Sequence, residues 1–302
     1  MNERGKDTYD MPECGNDPRM KKEPRLRIPH PERLLFPEAG VTRGDVASYY
    51  AEVAPYLLHQ AQDRALMVTR WPHGIEGAMF YQKHPAVGGP ITITTAADIL
   101  SWVGQGVIEW HAPLGKLSSP EQHDWAVMDL DPQPPANWTT VVEVATVFKK
   151  LLDLMKVSFL IKTSGQRGLH FYIAIEPLSH HVVREIVGHW AGVIVKTIPE
   201  KATVARRKQE RGARVYLDYL QNGYQRTMAM AYSVRATSRA TVSMPIAWHE
   251  VDIPAETWTI QRVRAHLQKR GNLFSWQGPP VALEALARQY GWRKKGGTNH
   301  EH

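Results

Sequence analysis

The sequence predicts a mixed α/β (α+β) protein with one folded body, and two observations support this. Segments whose apolar residues recur every three to four positions alternate with short apolar runs that end at glycine, proline or aspartate. The first pattern is typical of amphipathic helices and the second of strands and hairpins. No polar stretch between residues 28 and 292 is long enough to be a linker. We therefore predict a single composite domain at residues 28–292, between a flexible arm at residues 1–27 and a polar tail at residues 293–302.

Composition excludes several classes of protein. Of the 302 residues, 43% are hydrophobic and 22% are charged, which allows a sizeable core. The net charge of +7 favours an anionic partner, of which nucleic acid is the commonest. Cys14 is the one cysteine, so a disulfide within the chain and a cysteine metal site are both excluded. Because the sequence has no apolar leader and no run of about 18 apolar residues, we expect no membrane partner and a cytoplasmic location.

The first third of the predicted domain contains a helix, several strands and a second helix. Thr42 can cap a helix that runs through Tyr49 and Tyr50. Residues 65–72 and 78–84 then predict two strands of a hairpin-like unit, in which the adjacent Phe80 and Tyr81 would lie on opposite faces. This arrangement allows one ring to be buried while the other is exposed. Residues 91–95 predict another strand, residues 98–105 a short helix, and residues 107–111 a strand that ends in a histidine.

Two aspartates end the most apolar strand of the sequence. Residues 125–130 form an apolar run that contains Asp129, and Asp131 and Pro132 follow. Side chains at positions i and i+2 of a strand point to the same face, so the two carboxylates would project together. Ionised carboxylates this close repel each other, which favours a divalent cation between them. The alternative is a strand that runs into an Asp-Pro turn, where Asp131 only caps the turn.

The next segment predicts a helix and then a strand–turn–strand unit. The helix begins at Thr139 or Thr140 and continues to about residue 155, and the strands cover residues 159–163 and 169–175. In the turn, Gly165 and Gly168 allow the backbone to approach a ligand closely. Exposed amides together with Ser164, Arg167 and His170 can form a polyphosphate site. The alternative is a hairpin that merely carries polar side chains.

The last third predicts a helix at residues 179–198, strands at 215–222 and 228–232, and helices at 260–269 and 281–290. The histidines of the first helix are interpreted as surface and packing residues. Residues 196–214 carry seven basic and two acidic side chains, which suits either a solvated face or a surface that follows a nucleic-acid backbone. The strand at 215–222 carries a lone aspartate, Asp218.

Several motifs, in this order, resemble the polymerase domain of bacterial and archaeal ligase D, a branch of the archaeo-eukaryotic primase superfamily used in non-homologous end joining. The resemblance covers about residues 28–290. The motifs are His30-Pro31-Glu32-Arg33-Leu34-Leu35-Phe36-Pro37, Arg70-Trp71-Pro72, Phe80-Tyr81-Gln82-Lys83, Met128-Asp129-Leu130-Asp131-Pro132, the run from Lys162-Thr163-Ser164-Gly165 to His170, Leu217-Asp218-Tyr219, and Tyr232-Ser233-Val234-Arg235.

The resemblance implies a primase-polymerase fold, in which mixed and antiparallel sheets form a catalytic cleft and helices pack outside. It assigns catalysis to Asp129, Asp131 and Asp218, which would hold two divalent metal ions, with Mn²⁺ favoured over Mg²⁺. One ion would lower the pKa of the primer 3′-hydroxyl, and the other would bind the triphosphate and the leaving pyrophosphate. The residues that it places on the incoming nucleotide are Ser164, Arg167, Gly168, His170, Arg235 and, in a supporting role, His111.

The resemblance also assigns residues to DNA. Arg33 and Arg43 match two basic positions that bind the 5′-phosphate across a gap. The family often has lysine there, so arginine keeps the charge and adds bidentate geometry. Phe80 or Tyr81 would stack on a template base, although the family usually has two phenylalanines. Arg70 and Lys83 belong to the same motifs and are also assigned to DNA.

The implied function is a template-directed nucleotidyltransferase that fills 5′-phosphorylated gaps and extends 3′ ends in double-strand break repair, with ribonucleotides preferred over deoxyribonucleotides. Its partners would be DNA and nucleoside triphosphates, with Ku implied by the family alone. The sequence has no Lys-x-Asp-Gly adenylation motif, so we expect a stand-alone polymerase that needs a separate DNA ligase. The alternatives are a de novo primase, a non-catalytic protein that bridges DNA ends, and a metal-dependent nuclease.

Overall fold

The computed structural model describes residues 27–85 and 88–294. The predicted arm therefore lies outside the described residues except for Arg27, and the predicted tail does so except for residues 293 and 294. Within the described ranges, no helix is long and apolar enough to cross a membrane.

Six helices and thirteen strands make up the described part of the chain. The helices are α1 (Arg43–Ala61), α2 (Ala96–Gly104), α3 (Trp138–Leu154), α4 (His180–Thr197), α5 (Ile260–Arg270) and α6 (Leu283–Gln289). The strands are β1 (Leu34–Phe36), β2 (Val41–Thr42), β3 (Met67–Arg70), β4 (Phe80–Gln82), β5 (Val107–Pro113), β6 (Gly115–Lys116), β7 (Ser119–Pro132), β8 (Leu160–Thr163), β9 (Leu169–Ser179), β10 (Ala202–Thr203), β11 (Val215–Asp218), β12 (Thr227–Ala229) and β13 (Pro245–Ile246).

The strands form two main sheets. The larger has seven strands in the order β10-β11-β7-β9-β8-β13, with β6 also paired to β7. Its pairs are antiparallel except β10–β11, which is parallel. The smaller sheet has the antiparallel order β12-β5-β3-β4, and β1 and β2 form a separate hairpin. The expected combination of mixed and antiparallel sheets is confirmed.

Helices cover these sheets as expected for a mixed α/β fold. Helices α3 and α4 pack on β7 of the larger sheet, and α1 and α2 pack on β5 of the smaller one. Phe148 of α3 connects the larger sheet to its helices. Its ring centroid lies 4.9 Å from that of Phe171 of β9 and 6.4 Å from that of Trp190 of α4. All three aromatic side chains are buried, so this cluster fixes the helices against the back of the sheet.

Capping residues explain where the helices begin. Thr42 and Asp45 form a capping box at the start of α1, as the sequence predicts for Thr42. The predicted start of α3 at Thr139 or Thr140 is wrong by one or two positions. Asn137 is the cap, because its side-chain oxygen accepts hydrogen bonds from the backbone N–H and the hydroxyl of Thr140.

Other sequence expectations also differ from the structure. The strand predicted at residues 228–232 is β12 at Thr227–Ala229, and the chain turns at residues 231 and 232. Residues 91–95 are not a strand: Ile91 makes a single bridge to Leu66, and the segment then leads into the cap of α2. Residues 219–222 form a 3₁₀ helix, because the Asp218 side chain accepts a hydrogen bond from the N–H of Leu220 and turns the chain. Phe80 and Tyr81 are both exposed, because β4 is the edge strand of its sheet and neither of its faces is covered.

Candidate active site

The ladder of the larger sheet brings the polar residues of three strands together. In register, Asp129 of β7 lies opposite Asp218 of β11 on one side and opposite His170 of β9 on the other. Asp131, two residues beyond Asp129, lies on the same face of β7, and both side chains line the same cavity. The three predicted catalytic aspartates and one predicted nucleotide-binding residue therefore occupy adjacent positions on the sheet.

The aspartates carry negative charge that the protein does not fully compensate. Burial raises the pKa of Asp129 well above its usual value, and the neighbouring Asp218 and Asp131 raise it further, against the opposing effect of Lys162. Burial likewise raises the pKa of Asp131, against the opposing charges of Arg211 and Arg167. A cation bound at this position would relieve the repulsion, so the electrostatics are those of a cation site.

All three carboxylates contact protein groups, and Oδ1 of Asp129 lies 3.4 Å from Nε2 of His170. The Nη1 atom of Arg211 lies 3.3 Å from Oδ2 of Asp131, and the Nε2 atom of Gln221 donates to Oδ2 of Asp218 at 2.9 Å. Within the described ranges, no three His, Cys, Asp or Glu side chains form a ready-made metal cluster. The donor set nevertheless fits a hard divalent ion, because all three candidates are carboxylates and their mutual repulsion favours bound positive charge.

The turn between β8 and β9 is closed by Ser164. Its hydroxyl oxygen accepts hydrogen bonds from the N–H groups of Gly168, at 2.9 Å, and Gln166, at 3.1 Å. The hydroxyl hydrogen of Ser164 is not needed for either bond and can be donated to a ligand. Arg167 extends from the same turn as an exposed side chain. The turn thus presents one hydroxyl and one guanidinium beside the aspartates.

The two glycines of this turn are required by close packing within the protein. Gly165 has a φ of +72°, and a Cβ atom there would lie 2.5 Å from Cγ of Arg235. A Cβ atom on Gly168 would lie 2.2 Å from the carbonyl oxygen of Leu130, which precedes Asp131 on β7. The turn is therefore pressed against the strand of the aspartates.

Glu109 is a site residue that the sequence analysis missed. This buried carboxylate of β5 accepts a hydrogen bond from Nε of Arg235 at 3.1 Å and one from the N–H of Ala236, and it contacts Nε2 of His111 at 3.1 Å. Burial alone would raise the pKa of Glu109, but the hydrogen bond with His111 and the charge of Arg235 outweigh it and lower the pKa to about 2. A buried acid two residues before His111, among otherwise apolar strand residues, was the available signal.

Arg235 and His111 are held in place by these contacts. The Nη1 atom of Arg235 donates to the carbonyl oxygen of Ser164 at 2.7 Å, which ties the arginine to the turn of the larger sheet. Burial lowers the pKa of His111, and the carboxylate of Glu109 opposes that shift. Glu109 therefore orients two predicted nucleotide-binding residues from the smaller sheet.

One open cavity of about 200 Å³ lies between the two sheets. Asp129, Asp131 and all six predicted nucleotide-binding residues belong to its lining, whereas Asp218 and all six predicted DNA-binding residues lie outside it. The lining residues are His111, Asp129, Asp131, Ser164, Gln166, Arg167, Gly168, His170, Gln221, Thr227, Met228, Ala229 and Arg235. The cavity is a cleft of the expected kind.

The structure places Arg33 and Arg43 side by side, but in different surroundings. The Nη1 atom of Arg33 and the Nη2 atom of Arg43 both donate to the carbonyl oxygen of Pro72, at 3.0 and 2.7 Å. Arg43 is buried and also donates to the carbonyl oxygen of Pro29, whereas Arg33 is half-buried and contacts His73. Burial and the charge of Arg33 lower the pKa of Arg43. Arg33 is therefore the more accessible of the two.

The remaining predicted DNA-binding residues lie on or beside β3 and β4. Phe80, Tyr81 and Lys83 are exposed, as required for contact with nucleic acid. The guanidinium of Arg70 is engaged within the protein, because it donates to the carbonyl oxygen of Gln105 and to the side chain of Gln82. Arg70 thus connects β3 to its neighbours, and its assignment to DNA stays a prediction.

Comparison with known proteins identifies the family and the fold. The sequence model of the LigD primase-polymerase domain matches residues 42–274. The chain belongs to the LigD primase-polymerase family. Among solved structures, the polymerase domain from Mycobacterium tuberculosis ligase D in complex with DNA is 25% identical, with a TM-score of 0.75, and the match covers 88% of this chain and 99% of that one. The predicted primase-polymerase fold is confirmed, and the chain is a nucleotidyltransferase by family.

Curated relatives are much longer than the matched region. The multifunctional non-homologous end joining protein LigD of Pseudomonas aeruginosa is 28% identical over 271 residues, which are 83% of this chain and 32% of the relative. The bifunctional LigD of Bacillus subtilis is 29% identical over 268 residues, which are 83% of this chain and 44% of the relative. This chain therefore spans about a third to under a half of the LigD proteins that it matches.

Proposed function

We propose that this chain is a template-directed polymerase of the primase type that fills gaps and extends 3′ ends at DNA breaks, by a two-metal mechanism. The observation that carries the proposal is the register of the larger sheet. It aligns Asp218, Asp129 and His170 on three neighbouring strands, beside the Ser164 turn and Arg235. Carboxylates beside phosphate-binding groups are what nucleotidyl transfer requires, whereas a protein that only bridges DNA ends has no use for three clustered aspartates.

In this mechanism the residues of the chain have separate roles. Asp129, Asp131 and Asp218 would hold divalent ions, Mn²⁺ or Mg²⁺, which when bound supply Lewis acidity for the attacking hydroxyl and the triphosphate. Arg211 and Gln221, which contact Asp131 and Asp218, would hold these carboxylates in place beside the ions. Exposed Arg167 and the hydroxyl of Ser164 donate to the phosphates from one sheet. Arg235, which lies in the loop after β12 and is oriented by Glu109 of the smaller sheet, donates from the opposite side.

Arg33 is the residue that we propose contacts the 5′-phosphate of a gap. Its half-buried guanidinium lies beside a second arginine, so a dianionic terminal phosphate would meet two positive charges. Arg43 contributes positive electrostatic potential from a buried position, and its hydrogen bond to the carbonyl oxygen of Pro72 stabilises the backbone there. Exposed Phe80 and Tyr81 offer two rings for stacking on a template base, in place of the single ring expected from the strand pattern.

The cellular setting belongs to the same proposal. Relatives named for non-homologous end joining support a role in that repair. From the family resemblance alone we add a preference for ribonucleotides, and Ku and a separate DNA ligase as partners. The reaction would then take place in the cytoplasm, where bacterial DNA is repaired.

The decisive experiment is a primer-extension assay on a duplex with a short gap. It compares gaps with a 5′-phosphate or a 5′-hydroxyl, ribonucleotides or deoxyribonucleotides, and Mn²⁺ or Mg²⁺, for the parent and for Asp129→Asn. We expect the parent to extend the phosphorylated gap and Asp129→Asn to lose at least about 100-fold in rate while it still binds DNA. Extension by Asp129→Asn at the parental rate would refute the metal assignment. Synthesis on a template without a primer would instead indicate a de novo primase.

A further inference from the structure

Lys162 is a buried lysine beside the cavity, and the chemistry proposed above gives it no role. Its exposed fraction is 0%. It stands on β8 directly opposite His170 of β9 in the antiparallel ladder. Lysine is almost never fully buried unless it is paired, so its contacts must account for its position.

The contacts of Lys162 define which atoms donate. Its Nζ atom lies 2.6 Å from Oγ of Ser243 and 2.8 Å from Nδ1 of His170. The hydroxyl of Ser243 donates to the carbonyl oxygen of Thr163 at 3.0 Å, so its oxygen must accept from Lys162. An ammonium group has only donors, so Nδ1 of His170 accepts from a charged Lys162. A neutral amine also has a lone pair and could accept from an Nδ1–H group, so the neighbour on the other side of the ring is needed to decide.

The other side of the imidazole leads to the same assignment. The Nε2 atom of His170 lies 3.4 Å from Oδ1 of Asp129. A carboxylate oxygen repels a nitrogen lone pair and attracts an N–H group, so this contact favours a proton on Nε2. Two independent neighbours, Lys162 and Asp129, therefore select one tautomer of the ring.

We propose that Lys162 is a positioning residue that fixes His170 as the tautomer with its proton on Nε2, and so keeps an N–H donor available for the incoming nucleotide. This inference rests on the proposed function. The N–H group would donate to a phosphate oxygen, since His170 lines the cavity with Ser164 and Arg167. Without Lys162, part of the population would carry the proton on Nδ1 and present a lone pair to the phosphate, which repels it.

The simpler alternative is that Lys162 only braces the sheet through Ser243. In that case its removal would lower the free energy of unfolding without changing the tautomer of His170. Ser243→Ala provides the matched control, because it disturbs the same buried cluster and leaves the contact between Lys162 and His170 in place.

The test is ¹H–¹⁵N NMR of the imidazole nitrogens in the ¹⁵N-labelled protein without nucleotide or metal, with His170→Asn identifying the His170 signals among 14 histidines. We expect Nδ1 to be unprotonated and Nε2 protonated in the parent and in Ser243→Ala, and a mixture of tautomers in Lys162→Met. A proton on Nδ1 in the parent, or an unchanged tautomer in Lys162→Met, overturns the proposal. If Lys162→Met does not fold, Lys162→Arg replaces it: this variant keeps a donor, and a changed tautomer overturns the proposal.

Nucleotide binding separates this inference from the proposed function. We expect Lys162→Met to weaken ATP binding by roughly tenfold, the effect of one misplaced hydrogen bond to a charged group, and Ser243→Ala to bind like the parent. A parent that holds the Nε2–H tautomer but binds no nucleotide would support the role of Lys162 in orienting His170 and would refute the proposed function. Equal ATP affinity in Lys162→Met and the parent would refute the link between the tautomer and phosphate binding.

Discussion

At the scale of single residues, Glu109 shows how one buried carboxylate can organise a site to which it contributes no ligand contact. It joins Arg235 to His111, and Arg235 in turn reaches the turn of the opposite sheet at Ser164. A buried charge is stable only when its neighbours compensate it, and here they are residues proposed to bind the nucleotide. Loss of Glu109 should therefore affect both stability and nucleotide binding.

The pH dependence of stability provides a test for Glu109. Its pKa falls from an ordinary 4.5 to about 2 on folding, so its contribution is present above pH 4.5 and is lost as the pH falls toward 2. We expect the free energy of unfolding to fall more steeply across this range in the parent than in Glu109→Gln. The measurement is urea unfolding at a series of pH values. Parallel curves for the two proteins would contradict the assigned contacts.

Gly168 provides a second test at the same scale. A Cβ atom there would lie 2.2 Å from the carbonyl oxygen of Leu130, and neither strand can move without breaking its ladder. We expect Gly168→Ala to lower the free energy of unfolding by about 1–3 kcal/mol and to weaken nucleotide binding. The control is Gly192→Ala in α4, where a Cβ atom meets nothing within 4 Å and helix propensity predicts a gain of up to about 1 kcal/mol. Equal effects of the two changes would refute the packing argument.

At the scale of elements, strand periodicity predicted the centre of the site. The alternation of side chains along residues 125–132 put Asp129 and Asp131 on one face, and both line the cavity. Periodicity could not predict that β11 and β9 would lie on either side of β7, because register across strands depends on contacts distant in sequence. The sequence patterns singled out His170 and Asp218 separately, and only the resemblance placed Asp218 with Asp129 and Asp131.

The errors have the same origin. Phe80 and Tyr81 alternate as expected along β4, but burial depends on whether another layer covers each face, and an edge strand has none here. The burial of Arg43 could not be predicted from the sequence either, because its partners, the carbonyl groups of Pro29 and Pro72, are distant along the chain. Glu109 was missed because a single acid in an apolar strand has no local pattern to identify its partners.

Arg33, which precedes β1, and Arg43, the first residue of α1, are expected to have different roles. We expect Arg33→Ala to weaken binding to a 5′-phosphorylated gap by roughly 10- to 100-fold and to leave binding to the 5′-hydroxyl gap unchanged, since Arg33 would donate to a charged group only in the first. Arg43→Ala should instead lower the free energy of unfolding, because both of its Nη atoms bond backbone carbonyls. The double variant Arg33→Ala plus Arg43→Ala should still extend a simple primer-template.

The measurements for these arginines are binding curves for the two gaps at one salt concentration, and urea unfolding of each variant. If Arg33→Ala still distinguishes the two gaps as well as the parent, the 5′-phosphate lies elsewhere.

At the scale of the whole molecule, the net charge of +7 favours an anionic partner, and the salt dependence of DNA affinity reports how many phosphates the protein neutralises. Part of that charge lies in the segment before β11, where Arg206, Arg207 and Lys208 are exposed and Arg211 reaches Asp131. The exposed cations therefore lie on a segment that contacts the candidate active site, which is where a bound strand would pass.

We expect replacement of Arg206, Arg207 and Lys208 by glutamine to reduce the slope of log affinity against log salt by about 0.9 for each DNA phosphate that these side chains neutralise in the parent. Lys150→Gln on α3, another exposed cation, is the control and should leave the slope unchanged. The measurement is DNA binding at several salt concentrations. An unaltered slope in the triple variant would place the DNA path elsewhere.

The register of β11, β7 and β9 has a consequence for how such a site can change during evolution. Neighbouring strands of a sheet are about 4.8 Å apart, and backbone hydrogen bonds fix that interval. Asp218, Asp129 and His170 therefore stand at regular intervals that no loop movement can alter. A descendant of this protein that accepts a differently sized substrate would have to change the lengths of its side chains, since the spacing of their attachment points is set by the peptide backbone itself.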